Sequence, residues 1–359
     1  MRSTNEKQTV NKEGQLYEYI GNIHIHSAYS DGTSIINNIA RAARKAGLDF
    51  IVITDHFNLD GLRHKDYGYI DGVLVMVGME INSQHNHYLA LNIRDVIEND
   101  DDNPQLVINE VNAQGGIGII AHPFETGSPY FENGKTYQWK EWSVQGMQGI
   151  EVWNHLSCWR DGLTGILRGL YLLFNPAQAL TGPNRESIKM VDRFHKMGYR
   201  VFAFGGSDAH GRILPFPLKI SSYEFYFRCI NLHVITEQKR RFEFSTDQEE
   251  IYKSLRNGNF WVANDYYHSS KDFRFEIKSR KGTWIMGNTV TFEPDMIITV
   301  RTPIYCEVQV YKDGVQWIRR RGIDHRFSII QPGVYRVEAW LLSRFTPRSW
   351  IITNPIWIV

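Results

Sequence analysis

The sequence predicts an α/β domain whose strands form a barrel, followed by a small antiparallel β-sandwich. Three observations predict it. From Tyr19 to Phe204, short β-rich apolar runs alternate with helical patterns. Histidines and carboxylates recur where those runs end, at the rim where barrels gather functional side chains. After about Ser270 the helical period disappears, and alternating runs such as MIITVRT, CEVQVYKDG and VYRVEAWLL are separated by turns at Asp313-Gly314 and Pro332-Gly333.

The first unit, YIGNIHIH, reads as a strand. Thr33 or Ser34 can then cap a helix whose apolar face is Ile36, Ile39, Ala40 and Ala43, and Gly47 closes it. DFIVIT, VLVMVGMEI, HYLALNI, GIGIIA, GIEVW and RVFAFG follow as continuous apolar runs of strand length, a pattern suited to parallel strands buried on both faces. A helical insertion is expected around 155–186. There Leu163, Ile166, Leu167, Leu170, Tyr171 and Phe174 recur at helical spacing, but the run is too short to span a bilayer and contains Arg168, so it reads as a buried or lid-forming amphipathic helix. The expected division is a catalytic domain over 1–269 and a β-sandwich over 270–359.

With 359 residues, 42% of them hydrophobic, the chain can bury one large core and a smaller companion. Its 40 basic residues nearly balance 39 acidic ones. No bulk field draws it to nucleic acid or a membrane, so a charged ligand must be held locally. Cys158, Cys229 and Cys306 lack C-x-x-C spacing, which argues against a disulfide framework or a thiolate zinc site and for a reducing compartment. The polar start MRSTNEKQTVNKEGQ lacks the apolar stretch of a signal peptide, and the expected location is the cytoplasm.

Histidines or carboxylates stand at six run boundaries, and Asp31 lies in a turn after the first. His24 and His26 end the first run, where alternation on a strand would point both imidazoles the same way. Asp31 lies in the SDGT turn, Asp55-His56 ends the second run, and Glu80 ends VMVGME. His87 directly precedes YLALN and is preferred over His85 as a ligand. His122 ends GIGIIA, and Asp208 and His210 sit in GGSDAHG, whose glycines permit close backbone approach. Carboxylates mixed with imidazoles, and no thiolates, suit Zn²⁺, Mn²⁺ or Fe²⁺. Two such ions close together acidify water and stabilise both attacking and leaving oxygens, so hydrolysis is the natural reaction class.

In order, IHIHSAYSDGT, ITDHF, GMEI with His87, IAHP, IEVWN and GGSDAHG resemble the signature of the polymerase and histidinol phosphatase (PHP) superfamily of metallohydrolases, from about Gly21 to Gly211. The resemblance implies a distorted (β/α)₇ barrel and two or three divalent transition metals. It implies that His24, His26, Glu80 and Asp208 hold the first ion, that Glu80 bridges to a second held by His87 and His122, and that Asp31, His56 and His210 hold a third, with Asp55 behind them. The IEVWN motif, the insertion and the C-terminal β-domain look closest to stand-alone members, including a branch related to carbamate hydrolases.

Glu151 and Asn154, at another strand end, are candidates to touch metal-bound water or substrate, or to cap structure. Arg160, Arg168, Arg185 and Arg212 are candidates to hold a substrate anion. Trp139, Trp142, Trp153 and Trp159 could wall a pocket or pack a core. The expected function is a phosphoesterase acting on a small phosphorylated molecule, with an ester, amide or carbamate hydrolase as the alternative. A non-enzymatic binding protein is the third reading, disfavoured because no ligand position is lost.

Overall fold

The computed structural model describes residues 15–211, 222–343 and 347–359. The apolar runs form strands β1 (Tyr17–Asn22), β2 (Phe50–His56), β3 (Gly68–Ile70), β4 (Val73–Ile81), β5 (Tyr88–Leu91), β6 (Ile117–Ile120), β7 (Gly149–Asn154), β8 (Phe202–Gly206), β9 (Ile230–Thr236) and β10 (Phe260–Asn264). Helices α1 (Ile36–Ala46), α2 (Asp60–Arg63), α3 (Pro104–Ala113), α4 (His155–Asp161), α5 (Ile166–Phe174), α6 (Arg185–Lys196), α7 (Tyr223–Phe227) and α8 (Phe244–Asn257) connect them. None of these described helices is long and apolar enough to cross a membrane.

Helix α1 buries Ile36, Ile39, Ala40 and Ala43, and Gly47 closes it at φ 86°. Its N-cap is Ile35, without a side-chain cap, and not Thr33 or Ser34. Thr33 is occupied elsewhere, its hydroxyl donating to the Gly211 carbonyl.

Strand β2 pairs in parallel with β1 and β4, β7 with β6 and β8, and a bridge between Ile25 and Ala209 returns the run to the segment after β1. The expectation of parallel strands throughout fails at β5, which runs antiparallel to both β4 and β6. The β4–β5 connection is only the six-residue NSQHNH segment, and a connection that short can make only an antiparallel pair.

Beyond Ser270 the described elements are all strands: β11 (Arg274–Ser279), β12 (Gly282–Ile285), β13 (Thr289–Val290), β14 (Ile297–Lys312), β15 (Val315–Ser328), β16 (Gly333–Leu341), β17 (Arg348–Thr353) and β18 (Ile356–Ile358). Asp313 and Gly314, both at positive φ, make the tight β14–β15 turn. The first part of β14 pairs with β11 and its last part with β16, and both groups of strands contribute to one apolar core around Ile277, Val300, Val310 and Trp350. Hydrogen bonding does not break at the expected 269/270 boundary. Strand β10 pairs with β9 on one side and β17 on the other, so its outward Trp261 and Ala263 join the C-terminal core.

Candidate metal centre

The carboxyl ends of β2, β4, β7 and β8 and the segments following β1 and β6 deliver one cluster. Glu80, fully buried at the end of β4, lies at its middle. Its Oε2 is 3.2 Å from the Nε2 atoms of both His24 and His26 and 3.4 Å from Nδ1 of His56. Its Oε1 is 2.7 Å from Nδ1 of His87 and 3.4 Å from Nε2 of His122. Asp208 Oδ1 stands 3.4 Å from His24 and His26 and 3.5 Å from His210, while Asp31 Oδ2 is 3.1 Å from His210 Nε2.

Three sets of ligand atoms lie close enough together for an ion: His26, Asp31, His56 and His210; His24, Glu80 and His122; His24, His26 and Asp208. His87 joins the cluster through its hydrogen bond to Glu80, and Asp31 is half exposed at its edge. His85 stands apart, 4.0 Å from Asp102. Asp55 faces away, accepting from the backbone N–H and hydroxyl of Ser27 and from the Ser30 hydroxyl, which ties down the loop carrying His26 and Asp31.

The two imidazoles of H-x-H converge by a different route from strand alternation. Strand β1 stops at Asn22, and His24 sits at φ 66°. His122 (φ 27°) and Asp208 (φ 53°) are likewise in a region that residues with a Cβ seldom occupy. Strain of this kind is retained where the surroundings fix it, and it clusters at functional sites. Gly206 permits the approach, since a Cβ there would run into Glu151 and His24.

Electrostatics explain how so many buried ionisable groups coexist. Burial alone would raise the Glu80 carboxyl, yet His24, His87 and His56 hold it well below the usual range. Asp208 is lowered against burial by His24, His26 and His210. Asp31, despite burial, is pulled down to about 2 chiefly by His210. The imidazoles respond in kind: burial opposes protonation, but Asp208 and Glu80 lift His26, and Glu125 and Glu80 lift His122, each to about 9. His56 goes the other way, to about 4, because burial dominates and the attraction of Glu80 does not offset it. The carboxylates thus create a demand for positive charge that protons on imidazole meet without metal and that divalent ions would meet better.

The hydrogen-bond inventory points the same way. Among the described residues, both ring nitrogens of His26, Nδ1 of His56 and His122, and Nε2 of His87 are buried without a hydrogen-bond partner. Buried polar atoms are seldom left so, and a place for a metal ion is a standard reason. The cluster floors a cavity of about 530 Å³, also lined by Tyr29, Phe57, Phe131, Tyr137 and Arg160.

Glu151 and Asn154 do not line this cavity. Glu151 lies behind it, 3.1 Å from His24 Nδ1, and accepts from the His122 backbone N–H and from Asn154 Nδ2. Asn154 also caps α4 by accepting from the Ser157 N–H. Arg160 does line the cavity, buried, whereas Arg185 pairs with Glu338 of β16. Arg168 faces a second chamber, and Arg212 lies outside the described residues. The four tryptophans line neither space: Trp139 and Trp153 belong to the larger apolar core, Trp142 packs on it, and Trp159 packs with Leu163 and Leu172.

Sequence reasoning missed Glu125, three residues after His122. Its buried carboxylate accepts from the Tyr137 N–H and the Ser157 hydroxyl and lies 3.6 Å from Arg160 and 3.9 Å from His122 Nδ1. The i,i+3 spacing from a candidate ligand was the available signal.

Residues 22–162 match the family model of the PHP domain. An uncharacterized protein of Methanocaldococcus jannaschii is 29% identical over 114 residues, which cover 28% of this chain and 66% of the relative, just under two thirds of its length. Among solved structures, the chain is similar to a two-domain protein from Bacteroides vulgatus ATCC 8482, described as containing a predicted PHP-like metal-dependent phosphoesterase, with 16% identity and a TM-score of 0.49 over 98% of this chain and 100% of that one. It is also similar to an amidohydrolase from Chromobacterium violaceum with bound sulfate and no metal, at 15% identity and a TM-score of 0.30, covering 53% of this chain and 87% of that one.

Proposed function

We propose that this protein is a metal-dependent hydrolase of the PHP type that cleaves a small phosphomonoester or phosphodiester. Glu80 carries the reading: one buried carboxylate presents one oxygen to His24, His26 and His56 and the other to His87 and His122, beside Asp208, at the floor of an open cavity.

The residues fit two or three divalent ions of the Zn²⁺, Mn²⁺ or Fe²⁺ kind, because orphaned imidazole nitrogens and carboxylate oxygens face one another with no thiolate among them. His24, His26, Glu80 and Asp208 would hold one, Glu80, His87 and His122 another, and Asp31, His56 and His210 a third. When bound, such ions lower the pKa of water and neutralise charge on the reacting group.

The remaining work falls to the protein. Glu151 takes the outer nitrogen of His24, leaving Nε2 turned inward, and Glu125 lies 3.9 Å from Nδ1 of His122, near enough to attract it without a hydrogen bond. Arg160 offers a guanidinium whose Nε is buried and unpartnered, a match for the oxygens of a phosphoryl group. Its planar head rests against Phe131 and Tyr137, which fixes its orientation. Tyr29 and Phe57 complete an aromatic wall for the organic part of a substrate.

Those four rings also favour a second reading, hydrolysis of a carboxylic or carbamate ester or an amide. Nitrophenyl phosphate, bis-nitrophenyl phosphate, nitrophenyl acetate and a naphthyl carbamate, assayed side by side with added Zn²⁺, Mn²⁺ or Fe²⁺, decide between them. Phosphoester cleavage should dominate. Dominant acetate or carbamate cleavage would replace phosphorus with carbon as the electrophile, and cleavage of none would remove the hydrolase assignment.

A further inference from the structure

Behind β7 lies a second chamber of about 250 Å³, separate from the cavity over the cluster but sharing His122 as a common wall. Its other walls come from Glu151 and Asn154, from α4 at Ser157, Cys158 and Asp161, from the start of α6 at Asn184 and Ser187, and from Arg168 on α5. At about 30 Å³ per water molecule the space takes a small ligand or several waters.

What such a space binds depends on which polar groups are still unused. The acids are already spoken for. Glu151 accepts from the His122 N–H and Asn154 and lies against His24; Glu125 accepts from the Tyr137 N–H and the Ser157 hydroxyl and faces Arg160. Asp161 accepts the N–H groups of Thr126 and Gly127, and burial pushes its carboxyl up, toward the neutral form.

The unused capacity consists of donors. Ser187 is fully buried in the wall, and its hydroxyl has no hydrogen-bond partner among the described residues. Among the described residues, Arg168 is held by a 3.4 Å contact from Nη2 to the Gln178 carbonyl and by its stacking on Tyr171. Ser187 also lies in the first turn of α6, a twelve-residue helix whose positive end meets the chamber. The Glu186 and Ser187 amides there are already taken by the Asn184 side chain, so the side chains and not the helix end supply the donors.

We propose that this chamber is a second anion site, taking a small oxyanion such as the phosphate or carboxylate group of a metabolite between Arg168 and Ser187. It is distinct from the metal centre in its ligands. It is coupled to it through His122, Glu151 and Asn154, which form its inner wall and also position the cluster. Occupancy would therefore bear on how firmly His122 and His24 are held.

The test uses full-length protein titrated with inorganic phosphate by calorimetry, in the wild type and in Arg168→Gln, Ser187→Ala and Asp208→Asn. Asp208 lines the cavity over the cluster and not the chamber, whereas Arg168 and Ser187 line the chamber and not that cavity, so the variants separate the two sites even if the hydrolase reading fails. The expected result is millimolar or tighter binding that survives Asp208→Asn and weakens at least fivefold in both Arg168→Gln and Ser187→Ala. Ser187→Ala removes one oxygen and guards against a folding artefact in the arginine variant. Binding that Asp208→Asn abolishes, binding unchanged in both chamber variants, or no binding to Asp208→Asn up to high millimolar phosphate would each overturn the proposal.

Discussion

His24 and His233 are both fully buried and both lie against carboxylates, yet their surroundings differ in every other respect. His233, in the middle of β9, has Nδ1 2.8 Å from Glu18 and Nε2 2.8 Å from Asp265 and 2.9 Å from the Ser270 hydroxyl. Its ring stacks on Trp261 at 4.9 Å. Glu18 is held in turn by Arg274, and Asp265 by Asn231 and the Ser270 N–H. No atom of this group is orphaned, its backbone is ordinary strand, and it lines none of the cavities described above. The rim cluster has orphaned nitrogens, left-handed backbone at three members and an open cavity above it. Buried histidine and carboxylate together therefore do not identify a site; incomplete satisfaction beside an accessible space does.

The contrast breaks most sharply under substitution at its two centres. Glu80→Gln should lower turnover by more than about 100-fold, the upper end of what losing a mere supporting carboxylate costs, with far-UV circular dichroism unchanged. Elemental analysis should show two or three ions on the wild type and fewer on the variant. Near-normal turnover in Glu80→Gln would move the chemistry away from the rim.

His233→Leu should do the reverse. It strands Glu18 and Asp265 in the interior, and removing one partner of a buried ionic group costs about 3–5 kcal/mol. The melting temperature should fall steeply while the ions per folded chain stay at the wild-type number. A variant that melts normally but loses metal would make His233 part of the functional site.

Glu151→Gln sharpens the comparison, because Glu151 is a satisfied carboxylate serving the unsatisfied cluster. The amide keeps the shape but cannot accept from His24 as the carboxylate does. Metal affinity or turnover should drop about 10- to 100-fold, with added metal recovering most of the loss. A variant indistinguishable from wild type in metal titration would reduce Glu151 to structural packing.

Much of the rim was legible because a strand end is a local feature. Apolar runs bounded by glycine and turns locate His56, Glu80, His122 and Asp208 without reference to the rest of the chain, and direct adjacency to YLALN chose His87 over His85. What was hidden depends on contacts between distant residues. Glu151 meets His24 across 127 positions, and nothing in IEVWN says that its acid points behind a ligand and not into the cavity. The positive φ of His24 follows from the neighbours that its segment meets, and periodicity does not record it. The His233 cluster was invisible for the same reason, although a lone histidine inside the apolar run INLHVIT required a buried partner.

The smallest expected effect is one of pH, and it separates the two clusters again. Burial opposes a proton on His233, but Asp265 and Glu18 lift it to about 9, above the value near 6.5 of an unfolded chain. A group raised in the folded state contributes stability that is complete below its unfolded pKa and is lost as pH rises through the folded one. Wild-type stability minus that of His233→Gln should therefore be level below about pH 6.5 and shrink toward pH 9, by no more than about 1.4 kcal/mol per pH unit for a single proton. His26 and His122, also raised to about 9, would add the same sign of dependence in metal-free protein. Bound ions replace those protons, so loading should flatten the rim's share and leave that of His233 untouched. Chemical denaturation from pH 6 to 9.5, with and without chelator, measures both shares. A His233 difference that is flat across this range, or that responds to metal as strongly as the rim's does, would erase the distinction drawn between the clusters.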